Sequence, residues 1–458
     1  MIDLFFDSVL LPTGWARDVR IGVDAGGWIT SVQPQSTPRG AQRTPGIAVP
    51  GVPNVYSHAF QRAMAGSAEM GSPAGDSFWS WRTRMYAFVR SLTPHDIEAI
   101  AAQLFVELLR RGFTSVAEFH YLRNAEDGTP YEDPVEMARR ILKAGDATGI
   151  GLTILPALYQ ASDFGGVKPE AEQRRFLNNV ESLISDIAIL GAEASGSTVR
   201  IGLALHSLRA VPGNSLTNAI DAARKMDPNI PIHIHVAEQL REVNRSLSWC
   251  GTRPAAWLLD HAPVDKQWCL IHATHIDADE IARIAASGAT VGLCPTTEAN
   301  LGDGIFPFLE YQNRKGNWAI GTDSHVGRGP ASELRLLEYG QRLKTLTRNV
   351  AAGTQQKSTG RALLDAAWSG GAKASGRRIG SLVKGARADI VILDPNHPDL
   401  LGLSEDDALD AWIFSGDETP VSDVFTGGNH VVRHGRHVAA DNIYASYAAV
   451  AQVLAKNI

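Results

Sequence analysis

The chain has 458 residues, of which 44% are hydrophobic and 20% charged, ordinary proportions for a folded globular protein and far from those of a disordered one. With 43 Lys and Arg against 49 Asp and Glu the formal net charge is −6, which excludes an overall basic field for nucleic acid or anionic lipid. No apolar run reaches the roughly eighteen residues that a membrane-spanning helix needs, so no membrane role is expected.

Residues 1–48 hold the short apolar runs Leu4–Leu11, Asp18–Val23 and Trp28–Val32, punctuated by Gly14, Gly26 and Gly27, the texture of a small β-meander. From 49 to 372 strand-like runs alternate with helical patterns, which predicts βα units and a parallel sheet. One helix shows the quality of the signal. Thr93 can cap it, Pro94 suits its first turn and Asp96 completes a T-x-x-D start; Ile97, Ile100, Ala101, Leu104 and Leu108 then recur on one face before Gly112. The strands of this region are Gly46–Val55, Thr114–Phe119, Ile150–Leu158, Val199–Leu205, Ile230–Val236, Trp268–Ile271, Ala289–Cys294 and Trp318–Thr322. Eight parallel strands separated by helices predict an α/β fold, a (β/α)8 TIM-type barrel, with its chemistry at the C-terminal strand ends. The β texture returns within 373–438, at Ala388–Leu393 and Val421–Arg433, and residues 439–458 predict a terminal helix. Because a few strands alone are marginal in water, both chain ends are expected to combine into one small β-sandwich.

Of 14 histidines, seven fall at these strand ends. Strand one runs into Tyr56-Ser57-His58, strand two into His120-Tyr121 and strand four into His206; strand five carries His233, His235 and then Glu238, strand six His272 and His275, and strand eight Asp323. Residues i and i+2 of a strand share a face, so Tyr56 projects with His58 and His233 with His235. Imidazoles and a carboxylate converging on one barrel mouth suit Zn2+ or a similar divalent ion, Fe2+ included. Glu238, three residues beyond His235, is placed for a proton shuttle. His120, His233 and His275 are equally compatible with hydrogen-bonded core roles, and the aromatic cluster Phe78, Trp79, Trp81, Tyr86 and Phe88 reads as helix packing in preference to a substrate cage. The opening MIDLFFDSVLLPTGW has acid where a secretory signal carries positive charge. Three cysteines, Cys250, Cys269 and Cys294, lack CxxC spacing, which fits a reducing, cytoplasmic setting.

These residues resemble the amidohydrolase superfamily, from the N-terminal meander to the stretch Gly380–Asp394. Strand four carries His206 and no lysine, so a carboxylated-lysine bridge between two metals has no candidate, and one metal is expected. The resemblance is closest to the formimidoylglutamate deiminase family. It lies in Ser57–Gly66, Asp76–Arg82, Ala117–Tyr121, His206–Val211, His233–Gln239, His272–His275, Thr297–Pro307 and Gly321–His325. The resemblance implies hydrolysis of N-formimino-L-glutamate to N-formyl-L-glutamate and ammonia, a step of histidine degradation, by a homodimer. It implies metal ligation by His58, His235 and Asp323, acid–base and orienting roles for Glu238, His272 and Asp323, and glutamate binding by Gln61, Arg82, Tyr121, His206 and Arg209. Independently, a dicarboxylate calls for planar, permanently charged donors, which Arg82 and Arg209 supply.

The family's first strand ends in His-x-His, and here the first position is Tyr56. A phenol with a pKa of about 10 must lose a proton to bind metal well. Tyr56 can therefore ligate as phenolate, swing aside and leave a weaker three-ligand site, or mark a metal-poor variant. Weakened or altered metal binding is the expectation. The competing functions are deamination of a cyclic amidine such as guanine, and a catalytically weak binder of glutamate-like ligands.

Overall fold

The computed structural model describes residues 2–71, 75–194, 198–353 and 356–455. Eight strands form the parallel barrel sheet: Val52–Ser57, Phe113–His120, Gly151–Leu158, Leu203–Ser207, Ile232–Val236, Trp268–His272, Thr290–Leu293 and Asn317–Ile320, each beside the next, with the short Val199–Ile201 added at the third. Strands buried on both faces read as continuous apolar runs, and the second, third and fifth have no exposed position. The first and eighth strands meet at a single parallel bridge, Ser57 to Asp323. The buried Asn54 stitches that seam: its Nδ2 donates to Thr322 Oγ1 at 2.7 Å and its Oδ1 accepts from the Thr322 and Tyr56 amides, both at 3.2 Å. Helix Thr359–Ser375 lies over the seam, and two glycines let it approach. A Cβ on Gly370 would sit 1.9 Å from the Trp318 carbonyl oxygen, and one on Gly371 2.7 Å from Pro53 Cβ.

The second sheet draws on both chain ends, as expected. Its order is Arg436–His437, Asn429–Arg433, Val421–Thr426, Ile390–Leu393, Ile47–Pro50, Ile2–Leu11, Gly14–Val23 and Ile29–Gln33, with Gln42–Arg43 also beside Ile2–Leu11. The ends join where Ile390–Leu393 pairs antiparallel with Ile47–Pro50. Its separate apolar core includes Leu4, Phe6, Val9, Ile21, Ile390, Ile392 and Phe425.

The apolar run Gly46–Val55 is two strands, not one. Ile47–Pro50 belongs to the small sheet and Val52–Ser57 to the barrel, with Gly51 between them. A Cβ on Gly51 would lie 2.1 Å from Thr114 Oγ1, so the crossing runs hard against the second barrel strand. Another difference lies within 373–438, where helix Asp406–Phe414 buries Ala408, Leu409, Trp412 and Ile413 and packs on Thr359–Ser375. The terminal helix spans Ala440–Leu454, and positions 456–458 of the expected helix lie outside the described residues. Among the described residues no helix is long and apolar enough to cross a membrane.

Candidate active site

The C-terminal rim of the barrel opens into a cleft whose walls include Tyr56, His58, Gln61, Arg82, Tyr121, His206, Arg209, His235, Glu238, His272 and Asp323. Every site residue expected from the sequence thus faces one space. Several strands end in a left-handed residue other than glycine: Ala237 at φ 52°, His272 at 67° and Asp323 at 44°. Such backbone is costly and persists where the surroundings impose it, often at functional sites. Here it turns the chain sharply just where Glu238, His272 and Asp323 must aim inward.

His58 and His235 are fixed from behind. The Nδ1–H of His58 donates to the Phe119 carbonyl at 2.9 Å and that of His235 to the His206 carbonyl at 2.5 Å. A carbonyl only accepts, so both rings present a bare Nε2 to the cleft, the arrangement in which a metal-binding histidine is held. Burial lowers His58 to about 3 and His235 well below its ordinary value, so both are neutral. Asp323 Oδ1 lies 4.0 Å from His58 Nε2.

The Tyr56 hydroxyl contacts both Nε2 atoms. Burial, reinforced by the Asp323 carboxylate, holds this phenol well above its ordinary pKa, so it carries one hydrogen for two facing lone pairs. A site with two acceptor nitrogens, a nearby carboxylate and one phenol hydrogen has too few donors. Its chemistry fits a divalent cation, which must either take the Tyr56 oxygen as a ligand or displace it.

Beside this nest His272 Nε2 lies 3.8 Å from Glu238 Oε1 and 3.7 Å from Asp323 Oδ2. Burial works against its charge, but Glu238, the hydrogen bond to Glu298 and Asp323 together raise it to about 10. Asp323 is itself pushed up to about 7, chiefly by burial. Glu298, given no role from the sequence, accepts from His272 Nδ1 at 3.2 Å and from the Cys294 amide at 2.9 Å. His272, Cys294 and Glu298 form a compact buried group, but Glu298 Oε1 is already taken and burial holds the Cys294 thiol well above its usual range. That makes it a hydrogen-bond network that locks the His272 ring. A carboxylate one turn into the helix after strand seven was the signal for it.

The opposite wall is cationic and aromatic. Arg209 is buried and its Nε has no hydrogen-bond partner, as is true of Gln61 Oε1, both pointers to a ligand since buried polar atoms are normally paired. Gln61 Nε2 donates to the Tyr121 hydroxyl at 3.3 Å. Phe78, Trp81 and Tyr86 line the cleft as well, which corrects their reading as helix packing alone: helix Phe78–Val89 lies across the barrel mouth, so one of its faces is the cleft wall. Phe88 is buried elsewhere. Tyr159 and Phe176 also line the space; Tyr159 directly follows strand three and shared the positional signal of the histidines, whereas nothing in the local pattern marked Phe176. His233 donates Nε2–H to the Ala374 carbonyl at 2.8 Å, His275 contacts the Asp303 carbonyl, and His120 faces a different pocket.

Residues 47–431 match the Amidohydrolase family model and residues 4–46 the model "Formimidoylglutamate deiminase HutF, N-terminal domain". A formimidoylglutamate deiminase of Pseudomonas aeruginosa is 46% identical over 441 residues, 96% of this chain and 97% of that protein. The chain belongs to the formimidoylglutamate deiminase family of amidohydrolases. A crystal structure of an amidohydrolase from Brucella melitensis, 44% identical, superposes with a TM-score of 0.93 over 99% of this chain and 100% of that one. The fold extends to an adenosine deaminase from Xanthomonas campestris with bound zinc, 20% identical, with a TM-score of 0.82 over 99% of this chain and 98% of that one. Amidohydrolases of this kind typically depend on a single metal ion.

Proposed function

We propose that this deiminase-family chain hydrolyses N-formimino-L-glutamate to N-formyl-L-glutamate and ammonia, using one divalent cation, with zinc favoured over iron. The observation that carries the reading is the pairing of two cleft arginines, Arg82 and Arg209, with a histidine–carboxylate nest in the same cleft. A flat aromatic base offers no carboxylates to two guanidiniums, whereas a glutamate portion offers two.

In this reading His58, His235 and Asp323 hold the cation, with Tyr56 as a further oxygen or displaced. When bound, the cation supplies the Lewis acidity that readies a water at neutral pH. Asp323 accepts that water's proton. His272, held charged between Glu238, Glu298 and Asp323, hydrogen-bonds to the formimino nitrogen and orients the carbon for attack. Both hydrogens of the water end on that nitrogen: Glu238 relays the first from Asp323 as the C–O bond forms and the second from the new hydroxyl as the C–N bond breaks, so that the nitrogen leaves as ammonia and the carbon keeps the oxygen as a formyl carbonyl. Arg82 and Arg209 take the two carboxylates, and Gln61, Tyr121 and His206 complete the glutamate pocket.

Ammonia release from N-formimino-L-glutamate and from guanine, measured beside elemental analysis, tests this. Release from the formimino compound alone, rising with bound zinc, is expected. Turnover of guanine alone, or of neither compound by the metal-replete protein, overturns it. Three unpaired cysteines, two of them buried, favour a cytoplasmic setting, and light scattering tests the homodimer carried over from the family.

A further inference from the structure

The positive wall continues past the rim of the cleft. Four guanidiniums gather on one indole: from the Trp79 ring centroid Arg241 lies at 4.3 Å, Arg82 at 4.6 Å, Arg245 at 5.5 Å and Arg209 at 5.9 Å. The ring face attracts each cation, but four like charges so close repel one another, and an anion relieves that repulsion. Asp163 neutralises Arg245 at 2.5 Å, and Arg209 faces the buried carboxylates of Glu242 and Glu238. Among the described residues neither Arg82 nor Arg241 has an ion-pair or hydrogen-bond partner. Arg82 lines the cleft, while Arg241, exposed in the first turn of helix Leu240–Cys250, stands outside it across the same ring.

We propose that Arg241, braced on Trp79, is an outer docking residue that captures a carboxylate of the incoming dicarboxylate and passes it to Arg82. This inference rests on the dicarboxylate substrate class proposed above. A chain of net charge −6 repels a dianion at long range, and a local cluster of opposite sign at the mouth reverses that field where approach must occur. Trp79 serves as the shared platform. It holds both guanidiniums within 4.6 Å of one ring centroid, close enough for one carboxylate to leave the first as it meets the second.

The test is stopped-flow association of the dicarboxylate N-formyl-L-glutamate, read by tryptophan fluorescence, because it does not depend on turnover. Measured between about 20 mM and 0.5 M salt, where the screening length shrinks from tens of ångströms to a few, Arg241→Gln is expected to slow association about 3–10-fold at low salt. Its rate converges with that of the unaltered protein at high salt, dissociation stays the same, and Arg241→Lys retains the fast rate. An Arg241→Gln rate equal to the original at low salt, a loss independent of salt, or no saturable binding by the unaltered protein would overturn the inference. Ammonia release assayed in parallel separates the two readings. Salt-dependent capture without turnover defeats only the proposed reaction, and turnover with unaltered capture by Arg241→Gln defeats only the docking role.

Discussion

Replacing Tyr56 with histidine changes the one group that contacts both bare imidazole nitrogens. Taking even the unperturbed pKa of about 10, removing the phenol proton at pH 7 costs about 4 kcal/mol, a factor of ~10³ in apparent metal affinity. Burial raises that pKa further, so this is a lower bound on what a bound cation must offset if it is to take the oxygen as a ligand. An imidazole incurs almost none of this cost at neutral pH. The substitution also vacates space beside Phe119, whose ring centroid lies 5.5 Å from that of Tyr56, and is expected to lower metal-free stability by ~1–3 kcal/mol. Free zinc at a hundred times its Kd returns about 2.7 kcal/mol. Elemental analysis after dialysis against a weak chelator, a competitive zinc titration, melting with and without zinc, and ammonia release form the assay. Tyr56→His should hold near-stoichiometric zinc where the original protein holds much less, melt higher only when zinc is present, and turn over faster. If the original protein keeps zinc within about threefold as tightly, Tyr56 is a competent phenolate ligand and the proton-cost reasoning fails.

Three further outcomes are expected. Glu238→Gln should lower kcat by ~10²–10⁴ while leaving metal content unchanged; a near-normal kcat would remove the proton-transfer role. Arg209→Ala should raise KM about tenfold or more, the scale of a lost charge-assisted contact, and an unaltered KM would take Arg209 out of the pocket. Glu118, which accepts from Ser57 Oγ and the Ala59 amide, is raised by burial from 4.5 to about 8. Its stabilising contribution is therefore full below about pH 4.5, where the unfolded carboxyl is also protonated, and is lost as pH rises through about 8. Glu118→Gln should flatten the stability curve across that window, and parallel curves in denaturant titrations would refute the assignment.

The rim was legible because alternation along a strand and the polarity of a parallel barrel together say where a side chain at a strand end points. His58, His235, Glu238, His272 and Asp323 could be placed from their numbers and strand positions alone. The Gly46–Val55 run was not legible, since strands of both sheets are buried and equally apolar, and hydrophobic periodicity does not register a change of sheet. The aromatic wall was misjudged for a related reason. A helix across a barrel mouth shows the same pattern as one packed on its flank, and only its tertiary placement makes Phe78, Trp81 and Tyr86 part of the cleft. Where the Tyr56 oxygen ends depends on side-chain rotamers held by Phe119, His58 and His235, which come from three different strands.

The pairing of Ile47–Pro50 with Ile390–Leu393 bears on how the chain is made. At ~5–20 residues per second, the early strand leaves the ribosome on the order of 20–70 s before the late one. Throughout that interval one edge of a fully buried strand has unsatisfied amides and carbonyls, a template for pairing with another nascent chain. The barrel can assemble meanwhile, because its contacts run mostly between successive elements. The order of synthesis therefore leaves the amino-terminal strands open-edged until the last segment arrives to shield them, while the barrel has all of its strands.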